Sequence, residues 1–330
     1  YRTEQFVHDG GAGNARPYYN GYYSDREGNQ KAANHVVMLR NTSKGHSLYT
    51  TFQLQKNFVD GILKGLYLNG SYSFGQSRGV TDGTSSVATS AWKYRAALDG
   101  NAEEVGYTAG SFDGRLLLSA SYTANWSKYA ATSFGLIYQR YRPFRYSYCY
   151  NGDANGDSQF SNDLMYIPAN FDEVKDHLLP GDFDSQEDAW KAMNAFIEQD
   201  PYLSKHRGEY AERNGAVAPF ANQLDLSVSH DIKIYQKNGR SHTLRFSFNI
   251  ANFLNLLNRN WGVVQTTVLG NQQYQFLTIP KGQGPSAANN YTLKYTMAKD
   301  LDETFKDNLN DVSRWQMQFG IKYILSLIHI

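Results

Sequence analysis

One cysteine, eight prolines and a net charge of +1 are all that this chain of 330 residues offers in three categories that often announce a function. Cys149 has no second cysteine with which to form an intrachain disulfide, and no cysteine cluster suits a zinc site. Near-zero net charge argues against a nucleic-acid partner. No stretch approaches the ~20 apolar residues of a membrane helix, and the mean hydropathy is −0.57. The eight histidines are scattered, with no HExxH arrangement, and GxGxxG and P-loop patterns are absent. GGAG near Gly10 reads as a loop tip. In SHDI (Ser229–Ile232) strand alternation points His230 away from Ser229 and Asp231. No catalytic constellation is present, and a non-enzymatic protein is expected. A starting Met and a signal peptide are also missing, so the chain is expected to be a fragment of a longer one.

Aromatic residues are abundant, at 15% with 25 tyrosines, and they fall in a pattern. From Arg314 to Ile324 side-chain character switches at every step. Trp315, Met317, Phe319, Ile321 and Tyr323 share one face; Gln316, Gln318, Gly320 and Lys322 share the other. From Trp315 to Tyr323 is roughly 26 Å along a strand and about 20 Å in height once tilted by ~40°, close to the apolar band between the aromatic girdles of an outer-membrane barrel. The same alternation recurs upstream. Leu48, Thr50, Phe52 and Leu54 form one such face, then Leu66, Leu68, Gly70 and Tyr72, then Leu116, Leu118, Ala120 and Tyr122. Thr132, Phe134, Leu136 and Tyr138 follow, with Leu224, Leu226 and Val228, and Leu244, Phe246, Phe248 and Ile250. The second face is small and polar throughout, with Arg115 and Arg245 in it. A soluble sandwich needs a large apolar inner face, whereas a wide barrel has a polar lumen. The fold class expected is therefore all-β, an antiparallel transmembrane β-barrel in the outer membrane.

Connection lengths orient that barrel. Short joints are expected at 58–61, 125–128, 236–239 and 270–272, and long extracellular loops near 77–109, 149–219 and 281–311. Residues 1–46 read as an extracellular loop and strand approach, and 47–324 as barrel. Descending strands are expected at about 47–57, 110–124, 220–235, 260–269 and 312–324, and ascending ones at about 62–76, 128–148, 240–252 and 272–280. Nine is odd, and single-chain bacterial barrels close on an even number. A C-terminal piece is expected.

The loops carry recognisable phrases: DGTSSVA (82–88), SAWKY (90–94), YNGDANGDSQFSNDLMYIP (150–168), RGEYAERNGAVAPFANQLDLSV (207–228), FNIANFLNLLNRNWG (248–262) and SRWQMQFGIKYI (313–324). In this order they resemble the C-terminal barrel half of TonB-dependent outer-membrane transporters of Bacteroidetes type, most closely the Oar-like group, from about Asn34 to Ile324. The resemblance implies a barrel of about 22 strands, a plug bearing a TonB box, and energised uptake of a large or scarce nutrient such as an oligosaccharide, peptide or metal chelate. None of the plug, TonB box or signal peptide lies in these residues. The partners implied are outer-membrane lipid, TonB through the plug, a nutrient ligand and a surface lipoprotein. Lumen charges such as Arg115, Asp225, Arg245 and Lys322 are expected to pair with each other or to face the plug. Chains of this family end in an aromatic directly after the last strand. Here 325–330 reads LSLIHI, which fits the codons CTG TCT CTT ATA CAC ATC of a transposon adapter end; a non-native tail is expected, and a genuine extension is the alternative. Two other functions compete: a structural or adhesive surface barrel without active transport, and a soluble β-rich carbohydrate-binding protein.

Candidate sites are few, and no cofactor is required. Asp153, Asn155 and Asp157 alternate on a loop bent by Gly152 and Gly156, with Asn162 and Asp163 following, an oxygen-rich set that suits Ca²⁺. An EF-hand would have Gly where Ser158 stands and Glu where Leu164 stands, so the competing reading is a turn whose side chains bond the backbone. Tyr146, Tyr148 and Tyr150 climb one face of an ascending strand, where they would extend the outer aromatic belt or stack on a sugar or peptide at the ligand mouth. Ser185–Gln199 reads as a helix capped by Ser185 with Asp188 at the fourth position. Its stripe of Trp190, Met193, Phe196 and Ile197 would pack on the loop itself or serve as a lid or lipoprotein-docking face, and Trp190 joins the mouth candidates.

Overall fold

The computed structural model describes residues 6–10, 14–17, 22–24, 30–32, 39–83, 85–157, 159–235, 241–269, 273–282, 291–297 and 303–325. The expected joints at 236–239 and 270–272, and the tail beyond Leu325, lie outside these residues.

Seven of the alternating segments form long strands: β1 (His46–Asn57), β2 (Leu66–Gly79), β3 (Phe112–Ser127), β4 (Ala130–Tyr141), β5 (Ala221–Tyr235), β6 (Ser241–Ala251) and β7 (Gln316–Leu325). Each pairs antiparallel with its sequence neighbour, giving one meander from β1 to β7. Leu325, expected in the tail, continues β7 opposite His242. The connection β1–β2 spans 58–65, closed by the Phe58 amide donating to the Leu66 carbonyl at 2.9 Å, and only Lys128 and Tyr129 separate β3 from β4. Long connections, 80–111, 142–220 and 252–315, all leave from the opposite end of the sheet, as their alternation with the short ones requires.

Register aligns the faces. Phe319, Phe248, Val228, Phe134, Tyr122 and Leu66 stand opposite one another in turn from β7 to β2. Met317, Ile250, Leu226, Leu136, Ala120 and Leu68 form a second such row. On the other face Gly320, Ser247, Ser229, Ser133 and Thr123 line up. A slip of one residue at any strand would exchange these faces, so the shared pattern fixes the register. The polar face is bonded side chain to side chain: Ser47 to Ser77 at 2.7 Å, Gln53 to Asn69 at 2.8 Å, Gln139 to Gln223 at 2.9 Å, and Arg245 to Asp231 through two bonds of 2.6 and 2.7 Å. Ile137 interrupts the polar face, and His230 interrupts the apolar one with its Nδ1 2.8 Å from Thr132 Oγ1. Asp225, expected to face another charge or the plug, accepts the Asn252 amide at 2.8 Å where left-handed Asn252 (φ 51°) ends β6.

The expected nine strands are corrected to seven long ones, with a short eighth, Gly106–Tyr107, paired to the end of β2, and no closed barrel forms among the described residues. The described residues of the segments 260–269 and 272–280 do not join this sheet. Gln265–Thr267 pairs with Phe305–Asp307, Gln273–Tyr274 runs parallel to 147–148, and Leu277–Thr278 pairs with 294–295. The ascending strand expected to reach 148 stops at Tyr141, where Pro143 removes a ladder donor.

The two longest connections fold onto each other as a cap with its own core. Tyr146, Tyr148, Met165, Ile167, Met193 and Phe196 come from the first; Tyr274, Phe276, Leu293 and Tyr295 come from the second. The helix Gln186–Gln199 forms as expected, with Ser185 Oγ accepting the Asp188 amide at 3.0 Å.

Candidate functional site

The three tyrosines expected at the ligand mouth or in an aromatic belt occupy neither place. Tyr146, Tyr148 and Tyr150 are buried in the cap. Alternation does put them on one face, but that face is covered by Tyr202, Tyr274, Phe276 and Tyr291. Tyr148 packs edge-on against Tyr274 (5.4 Å) and Phe276 (5.8 Å) and stacks on Tyr202 (5.9 Å). Burial pushes the Tyr146 and Tyr148 hydroxyls far above the usual phenol range, so both remain protonated donors. Trp190 is half-buried against Phe171 (5.9 Å), and Met193, Phe196 and Ile197 are wholly inside. The helix stripe is therefore taken up by the cap, as the first of its two expected readings has it.

Asp153, Asn155, Asp157 and Asp163 do come together. Asp153 Oδ1 accepts the Asn155 and Gly156 amides at 3.2 and 2.6 Å; Asn155 Oδ1 accepts the Asp157 amide at 2.9 Å; Asp163 Oδ2 accepts the Ala154 amide at 2.7 Å. Asp163 lies against buried Arg16, whose Nη1 is 3.6 Å from Oδ1. Among the described residues no three His, Cys, Asp or Glu side chains converge closely enough to hold a metal unaided.

A cavity of ≈ 800 Å³ opens between the connection 80–111 and the cap, lined by Asp82, Arg95, Arg145, Ser161, Arg213 and Asn214 among others. Arg95 braces its own connection, whereas Arg145 and Arg213 tie theirs to neighbouring segments. Arg95 donates to the carbonyls of Val80, Gly100 and Ala102 at 3.3, 2.6 and 3.2 Å. Arg213 reaches the Val80 carbonyl at 2.6 Å and the Gly79 carbonyl; Arg145 reaches Ser111 (3.2 Å) and Asn214 (3.0 Å) carbonyls and pairs with Asp113. The carbonyl acceptors of Arg95 and Arg213 satisfy geometry without cancelling charge, whereas the charge of Arg145 is answered by Asp113. Burial lowers the pKa of both Arg145 and Arg213, which an anionic ligand would reverse. Ser161 (φ 76°) and Asn214 (φ 52°), two residues held in left-handed backbone without being glycine, both line this cavity, and such conformations cluster at functional positions. Sequence reasoning missed these arginines because they lie on two connections, with Arg145 and Arg213 68 residues apart on one of them, and share no motif; RGEYAERNG held the one available signal, a charged turn.

A shallower groove of ≈ 660 Å³ lies on the apolar face of the sheet, where Gly70 and Ala120 leave room between Leu54, Leu68, Leu118 and Leu136. Comparison with protein-family models, curated proteins and solved structures finds no match to this chain.

Proposed function

We propose that the seven-stranded sheet is part of the wall of an outer-membrane β-barrel, and that the barrel is a TonB-dependent transporter of Oar-like type. The register carries this reading. Apolar side chains stand in two continuous rows from β7 to β2 on one exposed face that His230 interrupts elsewhere, with Leu54 at 83% and Phe319 at 78% exposure, while the opposite face, Ile137 apart, is a hydrogen-bonded polar layer. Seven strands at ~4.8 Å make that face roughly 29 Å wide, and with a height near 20 Å its projected area is on the order of 600 Å². The largest patch on a soluble monomer is about 300–600 Å² of accessible surface, and the accessible area here exceeds the projection. Strands of 10 to 16 residues suit a tilted crossing, which needs about 9–11. Long connections on one side and short ones on the other match extracellular loops and periplasmic turns.

In this reading the cap stands outside the cell and its cavity faces the incoming nutrient. Three guanidiniums, Arg95, Arg145 and Arg213, against two carboxylates, Asp82 and the Arg145-paired Asp113, favour a ligand with anionic groups, which siderophores, acidic oligosaccharides and peptides all provide. A cap with a closed core of its own also favours a second reading, a surface barrel that displays its loops without transporting.

The test uses the intact gene. The protein is expected in the outer-membrane fraction, with uptake that stops when TonB is removed. Single cysteines in place of Leu136 or Phe319 are expected to react with a lipid-soluble maleimide, and in place of Gln318 with a water-soluble one. Recovery as a water-soluble monomer overturns the barrel; a coding sequence without a plug overturns transport alone.

A further inference from the structure

The groove on the apolar face of the sheet runs across the strands along one row of register partners. Leu54 on β1 stands opposite Gly70 on β2, then Leu118 on β3, Tyr138 on β4 and Leu224 on β5, and all five line it. Five strands at ~4.8 Å spacing give it a length of roughly 19 Å. The row is not level. Leu54 lies three residues from the short-joint end of β1 and Gly70 four from that of β2. Leu118 and Tyr138 lie nine and eight residues from theirs, and Leu224 eleven from the end of β5 at Tyr235. The groove therefore begins beside the joint 58–65 and climbs away from the short joints as it crosses the sheet. Strands tilted by ~40° raise such a row by roughly 12 Å over its length. One leaflet of a hydrocarbon core of ~30 Å is about 15 Å deep.

The two ends differ in chemistry. At the low end stands Lys56, which lines the groove and faces the apolar side as the register partner of Leu68. Its side chain is exposed. Its ammonium lies 5.7 Å from the ring centroid of Phe58, the first residue of the joint, and forms no ion pair among the described residues. From there upward the outward-facing walls are aliphatic or glycine as far as Tyr138, whose hydroxyl donates to Asn222 at 2.9 Å. A lysine on a lipid-facing wall is costly unless its head reaches water or an anion at the interface. A cation at the rim, joined to an apolar channel of about one leaflet's depth, is the complement of an amphiphile with an anionic head and an extended chain.

We infer that the groove seats one acyl chain of an anionic phospholipid, with the phosphate against Lys56. The inference rests on the barrel reading, which puts the short joints at the periplasmic side. The occupant is accordingly a phospholipid of the inner leaflet, whose headgroups meet that rim, and not lipid A of the outer one. The volume of ≈ 660 Å³ falls within the ~300–1,000 Å³ of small-molecule sites. Lys56 supplies preference for a negative headgroup. The depression at Gly70 and Ala120 holds the chain, because neither residue projects a side chain long enough to fill it.

The product of the intact gene is extracted from outer membranes in a mild detergent and delipidated. It is then offered phosphatidylglycerol, phosphatidylethanolamine or lipid A in turn, and retention is read by native mass spectrometry. One phosphatidylglycerol per chain is expected, retained over phosphatidylethanolamine by about fivefold, the factor of one lysine beside an anionic headgroup. Lys56→Gln is expected to abolish that preference, whereas Lys64→Gln, in the adjoining joint but outside the groove, keeps it. Ala120→Leu fills the floor without adding charge and is expected to lower retention of both phospholipids by roughly tenfold. Heat-modifiable gel mobility, unchanged in all three variants, shows that each has folded. An undiminished preference in Lys56→Gln, an equal loss in Lys64→Gln, unaltered retention in Ala120→Leu, or stronger retention of lipid A overturns the assignment and leaves the barrel standing. Recovery in the water-soluble fraction overturns the barrel and this inference with it.

Discussion

Tyr148 donates its hydroxyl to Asp200 at 2.6 Å, and Thr304 donates to the same carboxylate oxygen at 2.7 Å. The other oxygen accepts the Tyr202 and Leu203 amides at 2.9 and 2.8 Å. One fully buried carboxylate thus ties together the start of the first cap connection, the end of its helix and the far end of the second connection. Asp200→Ala would strand four buried donors. A loss of about 3–5 kcal/mol in cap stability is expected, seen as faster limited proteolysis within 142–220. Asp200→Asn keeps one acceptor and is expected to lose less.

Cys149 is fully buried, and its thiol is pushed well up by burial, with Asp163 adding to the effect. The thiolate is the reactive form. Iodoacetamide at neutral pH is expected to leave the native protein unlabelled while the unfolded chain labels completely, as intact-mass measurement would show. Rapid native labelling would place Cys149 outside the core.

A charge on the apolar face distinguishes lipid from water. Leu136→Arg, in the middle of the Met317-to-Leu68 row, is expected to cost about 2–4 kcal/mol in a bilayer. The matched change Ser121→Arg on the polar face is expected to be near neutral. Folding yield into liposomes, followed by heat-modifiable gel mobility, reads both; equal tolerance would count against the barrel.

Tyr49 lies directly over Gly75, its cross-strand partner, and stacks on Phe112 at 5.5 Å between ring centroids. A Cβ at residue 75 would fall 2.0 Å from the Tyr49 ring. Gly75→Ala is expected to destabilise by about 1–3 kcal/mol, and Tyr49→Ala on the same background is expected to recover part of it in a double-mutant thermal-unfolding cycle.

Period-two alternation in sequences such as LRFSFNI and QMQFGIKYI made the seven long strands legible, because each face is uniform along its whole length. The same signal misassigned 272–280. Tyr274 and Phe276 also alternate, but their buried side belongs to the cap, and a period of two does not say which sheet a strand joins. Tyr146, Tyr148 and Tyr150 failed for a related reason. Their common face was readable, whereas its cover comes from Phe196, Tyr274 and Tyr291, which no local pattern connects to them. Of the candidate sites, the Asp153–Asp163 loop was visible because its residues are contiguous. The cavity was not, since Arg95 meets Arg145 and Arg213, themselves 68 residues apart, only after two long connections have folded.

The cap core closes over long separations: Tyr150 meets Tyr291 across 141 residues and Asp200 meets Thr304 across 104. Hairpins such as β3–β4 require only local search, whereas distant closures are entropically slow. Folding should therefore run in two stages, sheet first and cap last. Between them lies an interval in which a dozen aromatic side chains are solvent-accessible, and that interval, rather than the finished fold, is where aggregation would compete with assembly.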